Sequence, residues 1–209
     1  MNEREDVINF LKGEAERLQT QKRFSHTLGV LSECEYFCDV LALSDEERYV
    51  LRRAALLHDI TKCFSDEEQL CICRAHNIDR PLSPTLHQET GACYISEKYN
   101  DIVDDEVISA VKKHTTGDES MSICDMVLFI SDFTEPGRKY DDCIKMREYI
   151  HAECEKIDKK DRSAVNLLLC KAVAMICEIS LSHISGEVDS RTENTKNAMR
   201  RILEENCRG

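Results

Sequence analysis

Six ionisable residues stand where a folded chain normally puts carbon. His58-Asp59 closes AALLHD, the most apolar run in the sequence, and Asp132 closes VLFISD. His114 follows Val111 by three residues and Val107 by seven. His26 precedes Val30 by four in RFSHTLGV, and His87 follows LSPTL, four residues before Gly91. Taken singly, an imidazole on an apolar face is satisfied by one hydrogen bond, and an aspartate at the end of an apolar run is a cap or a surface charge. Six together need a shared partner, because an ionised carboxylate in an apolar setting is costly unless it is paired or metal-bound. A metal centre in the core of a helical bundle satisfies all six at once. Imidazole and carboxylate donors without thiolate suit iron or manganese better than a structural zinc. Six donors are too many for one ion with open positions, and they suit two ions bridged by a carboxylate. Asp59, beside His58, is the natural bridge. Lys62 follows Asp59 by three residues, and Arg23 precedes His26 by three. At that spacing a cation lies one helical turn away, where it could hold a phosphate oxygen. A solvated surface charge explains either residue equally well.

The elements that must position these residues read as helices. Gly (7), Pro (3) and aromatic residues (6%) are scarce, and no strand-like alternation is present. Apolar periodicity predicts helices over 3–19 and 23–42. Ser44 and Ser65, each followed three residues on by glutamate (Glu47 and Glu68), are capping boxes that open a third and a fourth helix. The third runs on through RYVLRRAALLHDI, which includes His58 and Asp59. Two prolines make NIDRPLSP a loop. Further helices are predicted over 84–99, 104–114 (stopped by Gly117), 122–133 (ended by Pro136-Gly137), 139–157, 161–184 and 192–205, the last after a polar segment, SGEVDSRTENT. The expected architecture is all-α, one helical bundle over 1–209 with a dimetal site in its core.

Charge and cysteine usage narrow the partners. Forty acidic against 28 basic residues give a formal net charge of -12. Such a chain has no global field to attract a nucleic-acid backbone or an anionic membrane surface. A small anionic substrate remains compatible if local cations or metal ions grip it. The N-terminal stretch is charged and amphipathic, and no stretch approaches 18 uninterrupted apolar residues, so a soluble, cytoplasmic protein is expected. The 12 cysteines are scattered, with no C-x-x-C pair, which fits reduced thiols packed as small apolar residues.

The ordered set His26 … His58-Asp59 … Asp132 resembles the HD-domain metal-dependent phosphohydrolases, and His87 with His114 resembles the two-metal branch of that superfamily. The strings RFSHTLGV, LLHDITK, LHQETGA, AVKKHTTG and ISDFTEPGR are similar to the bacterial YqeK family of symmetrical bis(5'-nucleosyl)-tetraphosphatases. Those enzymes cleave diadenosine tetraphosphate into two ADP at a di-iron centre. The resemblance is strong over about 20–140 and weaker to the C-terminus, where RTENTKNAM resembles a closing nucleotide-contact segment.

The resemblance implies that His26, His58, Asp59, His87, His114 and Asp132 bind two metal ions, with Asp59 bridging. It implies iron, with manganese or another divalent ion as alternatives. Arg23, Lys62, Thr115 and Arg138 would touch nucleotide or phosphate, with Lys62 also catalytic beside Asp59. Thr192, Lys196 and Asn197 would lie near the nucleotide, within C-terminal helices (about 139–205) that complete its pocket. Ser190-Arg191 departs from the family pattern there, where His-Pro is expected, and Lys196 stands in place of an arginine. The implied partners are a dinucleoside polyphosphate and its product ADP, with no nucleic-acid polymer and no membrane; a homodimer is left open. Two other readings stay open: a different HD phosphohydrolase, such as a nucleotidase or a cyclic-nucleotide phosphodiesterase, and a non-catalytic nucleotide-binding HD module.

Overall fold

Serine caps and apolar stripes do what the sequence asks of them. In the computed structural model, which describes residues 3–183 and 189–206, there are ten α-helices and no strand among the described residues. They are α1 (Glu3–Leu18), α2 (Gln21–Val40), α3 (Asp45–Leu57), α4 (Asp66–Ala75), α5 (His87–Lys98), α6 (Asp105–Lys113), α7 (Ile123–Thr134), α8 (Asp141–Cys154), α9 (Arg162–His183) and α10 (Ser190–Asn206). Ser44 and Ser65 accept from the backbone N–H of Glu47 and Glu68, whose carboxylates reach back to the serine N–H groups. Ser122 and Asp125 form a third such box at the start of α7.

The most apolar elements lie deepest. Residues 126–130 of α7 (Met126, Val127, Leu128, Phe129, Ile130) and 54–57 of α3 are buried in one continuous core with Phe37, Leu41 and Leu51. Helices α2, α3, α6 and α9 pack around α7, α5 packs on α6, and α10 lies along α9. Truncating one of the fully buried leucines, such as Leu56 or Leu57, typically costs about 2–5 kcal/mol. Helix α9 is long and apolar enough to cross a membrane by length and composition, but it packs on α7, α8 and α10, and half of its apolar window is buried in the bundle. All 11 cysteines among the described residues are free, and eight of them are buried. Cys207, and residues 184–188 of the polar segment, lie outside the described residues.

Several predicted boundaries are corrected, and the corrections bear on the site. The third helix ends at Leu57 instead of running through Ile60, so His58 is its C-cap and Asp59 and Lys62 stand in turns. Bonds from Ile60 N to Leu57 O (3.1 Å), Lys62 N to Asp59 O (3.0 Å) and Phe64 N to Thr61 O (3.0 Å) wind this segment more tightly than an α-helix. Helix α5 begins at His87, not at Pro84, because the Pro84 carbonyl is occupied by side chains of Lys62 and His87. Helix α6 ends at Lys113, and His114 is its C-cap, with Gly117 beyond it at φ +69°. Helix α2 starts two residues early because Thr20 caps it (3.3 Å to Arg23 N), and it ends at Val40, before Ala42 takes a positive φ of 49°. Helix α8 stops at Cys154, short of residue 157. Helix α10 starts at Ser190, where the Asp189 carbonyl accepts from Thr192 N (3.0 Å).

Candidate metal centre

Three of the four histidines sit at helix ends beside tightened turns, and this fixes their rings. His58 Nδ1 lies 2.7 Å from Ala55 O, His114 Nδ1 2.6 Å from Val111 O, and His87 Nδ1 2.8 Å from Pro84 O. Each imidazole donates to the carbonyl three residues before it. That sets the tautomer and leaves the Nε2 lone pair aimed inward, the arrangement expected of a metal-ligating histidine. His26, on α2, is held differently: its Nδ1 lies 3.2 Å from Glu135 Oε1.

The four Nε2 atoms gather around one carboxylate. Asp59 Oδ1 is 3.1 Å from His87 Nε2 and 3.6 Å from His114 Nε2. Asp59 Oδ2 is 3.5 Å from His58 Nε2 and 3.8 Å from His26 Nε2. Asp132 Oδ1 joins the second group, 2.9 Å from His26 Nε2 and 4.0 Å from His58 Nε2. One face of Asp59 therefore serves His26 and His58, and the other serves His87 and His114. His58, Asp59, His87 and His114 are buried, and His26 and Asp132 are partly exposed toward solvent.

Two observations test whether these residues fit metal ions. The buried His26 Nε2 and His58 Nε2 atoms have no hydrogen-bond partner, although carboxylate oxygens surround them. A bundle core rarely tolerates such orphans, and imidazole nitrogens that converge with carboxylate oxygens on one point are what a cation satisfies. The donor chemistry agrees: imidazole and carboxylate, no thiolate, as suits a divalent transition ion. The residues fit.

The electrostatics point the same way. Burial alone would raise the Asp59 carboxyl, yet the surrounding imidazoles of His58, His114 and His87 hold it well below the usual range. Burial opposes a charge on His26 as well, but Asp132 and Glu135 outweigh it and raise His26 to about 9. That half of the site is built to hold positive charge. Burial lowers His87 to about 4, so its imidazole is neutral at pH 7 and free to donate a lone pair.

The predicted phosphate contacts divide between the two sides. Arg23 Nη1 lies 2.8 Å from Asp59 Oδ2, and Arg138 Nη2 lies 2.8 Å from Asp132 Oδ1. Both guanidiniums line a cavity of about 770 Å³ together with Thr20, Lys22, Ser25 and Tyr140. Lys62 and Thr115 stand on the other side. Lys62 Nζ donates to Pro84 O (2.8 Å) and lies 2.9 Å from His87 Nδ1, and burial lowers its pKa. Thr115 Oγ1 is 3.2 Å from His87 Nε2.

The C-terminal trio is one layer out. Thr192 is buried, Lys196 is half-buried with Glu193 4.0 Å away, and Asn197 is exposed. None of the three is brought to the histidine cluster by a hydrogen bond. The contact runs through their neighbour Thr195, whose Oγ1 donates to Thr116 O at 3.1 Å. A Cβ on Gly117 would come within 2.5 Å of Thr195, so glycine is needed there on two counts, its positive φ and this close approach.

Sequence reasoning missed two supporting residues. Glu135 is buried, orients His26, and accepts from the Gly137 N–H. A Cβ on Gly29 would lie 2.3 Å from its carboxylate, so two turns of α2 and the TEPG corner close around it. Its signal was a charged residue in a Pro-Gly corner, which reads as an exposed turn. Gln88 is fully buried, and its Oε1 accepts from Thr115 N (3.2 Å) and Thr116 N (3.1 Å), which pins the loop after His114. A glutamine in the first turn of a helix carries no signal for that role.

Residues 23–137 match the family model described as HD domain. The chain is similar to the symmetrical bis(5'-nucleosyl)-tetraphosphatase of Halalkalibacterium halodurans, 30% identical over 132 residues that span 61% of this chain and 68% of the relative. It is also similar to the enzyme of that name from Staphylococcus aureus, 31% identical over 122 residues, 56% of this chain and 61% of the relative. The fold is shared with a crystal structure from Clostridium acetobutylicum described as a "predicted HD superfamily hydrolase involved in NAD metabolism". The TM-score is 0.71 at 22% identity, over 92% of this chain and 96% of that one. The matched segment spans more than half of the sequence and holds all six converging residues, and the chain belongs to the HD domain family.

Proposed function

We propose that this chain is a metal-dependent phosphoanhydride hydrolase that cleaves diadenosine tetraphosphate symmetrically into two molecules of ADP. The observation that carries the reading is the division of the Asp59 carboxylate between two imidazole pairs. His26, His58 and Asp132 would hold one ion, His87 and His114 the other, and Asp59 would bridge them. Iron fits the donor set, as do manganese and other divalent ions. When bound, two such ions supply hydroxide near neutral pH and offset charge on the phosphoryl oxygens. The names of the similar tetraphosphatases support the substrate.

The chain's own residues supply position and charge. Arg23 and Arg138, which line the 770 Å³ cavity, already meet carboxylates, and each can exchange its partner for a phosphate oxygen. Lys62 approaches from the His87 side, and its lowered pKa reflects a cation kept partly out of water, where it acts more strongly on phosphate. The Thr115 hydroxyl offers a hydrogen bond beside it. Attack of water on one inner phosphorus breaks its bond to the central bridging oxygen and expels one ADP; the water's oxygen stays on the attacked phosphorus as part of the second ADP, and its protons pass to the departing oxygen and to solvent. The α10 trio, Thr192, Lys196 and Asn197, would contact one nucleotide across Thr195. The helices of 139–205 belong to the same functional unit as the HD segment in this reading, and the setting is cytoplasmic.

Metal-loaded protein offered diadenosine tetraphosphate, nucleoside monophosphates and cyclic nucleotides should turn over the first at least about a hundredfold more efficiently. Preference for a monophosphate or a cyclic nucleotide would replace this reading with another HD phosphohydrolase. Tight nucleotide binding without metal-dependent turnover would replace it with a binding module.

A further inference from the structure

A dinucleoside substrate has two bases, and the α10 trio accounts for contact with one. The other half must leave the metal centre on the side of Arg23 and Arg138. That side opens into the 770 Å³ cavity, a volume that suits a nucleoside with its phosphates. Its lining carries four cations, Arg23 and Arg138 paired to the carboxylates of Asp59 and Asp132, with Lys22 and Lys139. The hydroxyl of Ser25 is exposed on its wall.

Tyr140 stands at the outer edge. It is the most exposed large apolar side chain among the described residues, at 74% of its accessible surface. It occupies the N-cap of α8, yet makes no side-chain capping hydrogen bond. A ring in that place does nothing for the helix and buries little area in the core. It follows Arg138 by two residues, so one short segment carries both a phosphate-binding cation and an aromatic face. Charge for phosphate and a π-face for a base, joined by a wall hydroxyl, are the parts that recognise a nucleoside phosphate without reading its sequence.

We infer that Tyr140 is the stacking platform for the base of the second nucleoside, with the Arg23–Arg138 cavity holding the phosphates attached to it. The inference rests on the hydrolase reading above. The two nucleosides then lie on opposite sides of the metal centre, one toward α10 and one over Tyr140. Stacking is tolerant of base identity, so this side selects for a second nucleoside rather than for adenine.

The chain contains no tryptophan, so Tyr140→Trp introduces a sole indole reporter at the proposed platform. Metal-loaded Tyr140→Trp protein is titrated with a non-hydrolysable diadenosine tetraphosphate analogue whose bridging oxygens are methylene groups, with ADP and with base-free tripolyphosphate. Indole fluorescence should be quenched by both nucleotides and not by tripolyphosphate. Tyr140→Ala should bind that analogue about tenfold more weakly by calorimetry, and Tyr140→Phe should bind it within about twofold of wild type. Calorimetric binding of nucleotide with no indole quenching, or unchanged affinity in Tyr140→Ala, would overturn the platform and leave the hydrolase reading standing. No binding of either nucleotide, together with no turnover of the tetraphosphate by wild-type protein, would overturn both.

Discussion

The metal centre and the α10 flank lie side by side and are held by different physics. At the centre, each of His58, His87 and His114 is pinned by a carbonyl only three residues away, inside the same turn. The flank is held by contacts across the sequence. Arg191 and Asp189, paired with each other two residues apart, both reach over to the α5 side: Arg191 pairs with Glu89, Thr85 donates to Asp189, Arg80 joins Glu89, and Thr195 reaches Thr116 O. Local pins set a geometry that forms with the turn and needs no distant partner. Long-range ion pairs at partly exposed sites are individually weak and screened by salt. The difference teaches that the centre is preorganised for ions, while the flank is free to adjust to a ligand, and the two should fail differently when broken.

The largest effect should come from the shared carboxylate. Asp59→Asn keeps the shape of the side chain but removes the charge that both imidazole pairs face. Hydrolysis should fall by at least about a thousandfold and metal content should drop below two ions per chain. Elemental analysis with turnover on the same sample checks this, and wild-type turnover with full metal content would refute the assignment.

Glu135 probes the support of the centre. It orients His26 through Nδ1, so Glu135→Ala should weaken metal binding by about 10–100-fold while leaving the fold intact, and Glu135→Gln should lose less. Competition with a chelator measures the affinity. An Ala variant with unchanged affinity would show that His26 needs no orientation from that side.

Gly29→Ala reaches the same carboxylate through packing alone. A Cβ there would lie 2.3 Å from Glu135 Oε2, and the carboxylate is buried and bonded on both sides. The expected cost is about 1–3 kcal/mol of stability with a smaller loss of metal affinity than Glu135→Ala. Thermal unfolding with and without chelator separates the two effects.

The smallest effect belongs to the flank. Arg191→Ala should raise KM a few-fold and leave metal content unchanged, since its contacts lie outside the centre. Arg191 holds the Asp189 carboxyl down from 3.8 to about 2. A depressed carboxylate contributes stability that is complete above its unfolded pKa and fades as pH falls through the folded one. The Tm difference between wild type and Arg191→Ala should therefore be full above about pH 4 and shrink toward pH 2. A difference that grew on acidification would point to another partner for Arg191.

The residues of the centre were legible because burying charge is expensive. His58, Asp59, His114 and Asp132 break apolar runs, and that conflict needs no structure to be seen. The all-helical fold was legible for the same kind of reason, from apolar periodicity, serine caps and few breakers. The tightened turns were not, because periodicity does not report which carbonyls leave the backbone ladder for a side chain. Thus periodicity puts His58 and His114 on helices, where the structure has them at the C-caps, and it starts α5 at Pro84, three residues before its true start at His87. Glu135 and Gln88 were invisible because their partners are distant in sequence or are backbone atoms. Arg191 broke the family's pattern, and its structural meaning, an ion pair to Glu89 on α5, could only come from the fold.

The central claim is a two-metal site that cuts a tetraphosphate in the middle. Freshly purified protein should be analysed for bound metal and then given diadenosine tetraphosphate, with every nucleotide product quantified. The account predicts close to two ions per chain and ADP as the sole nucleotide product, two for each substrate consumed. Formation of ATP with AMP, or undiminished turnover after the metal is stripped, would contradict it.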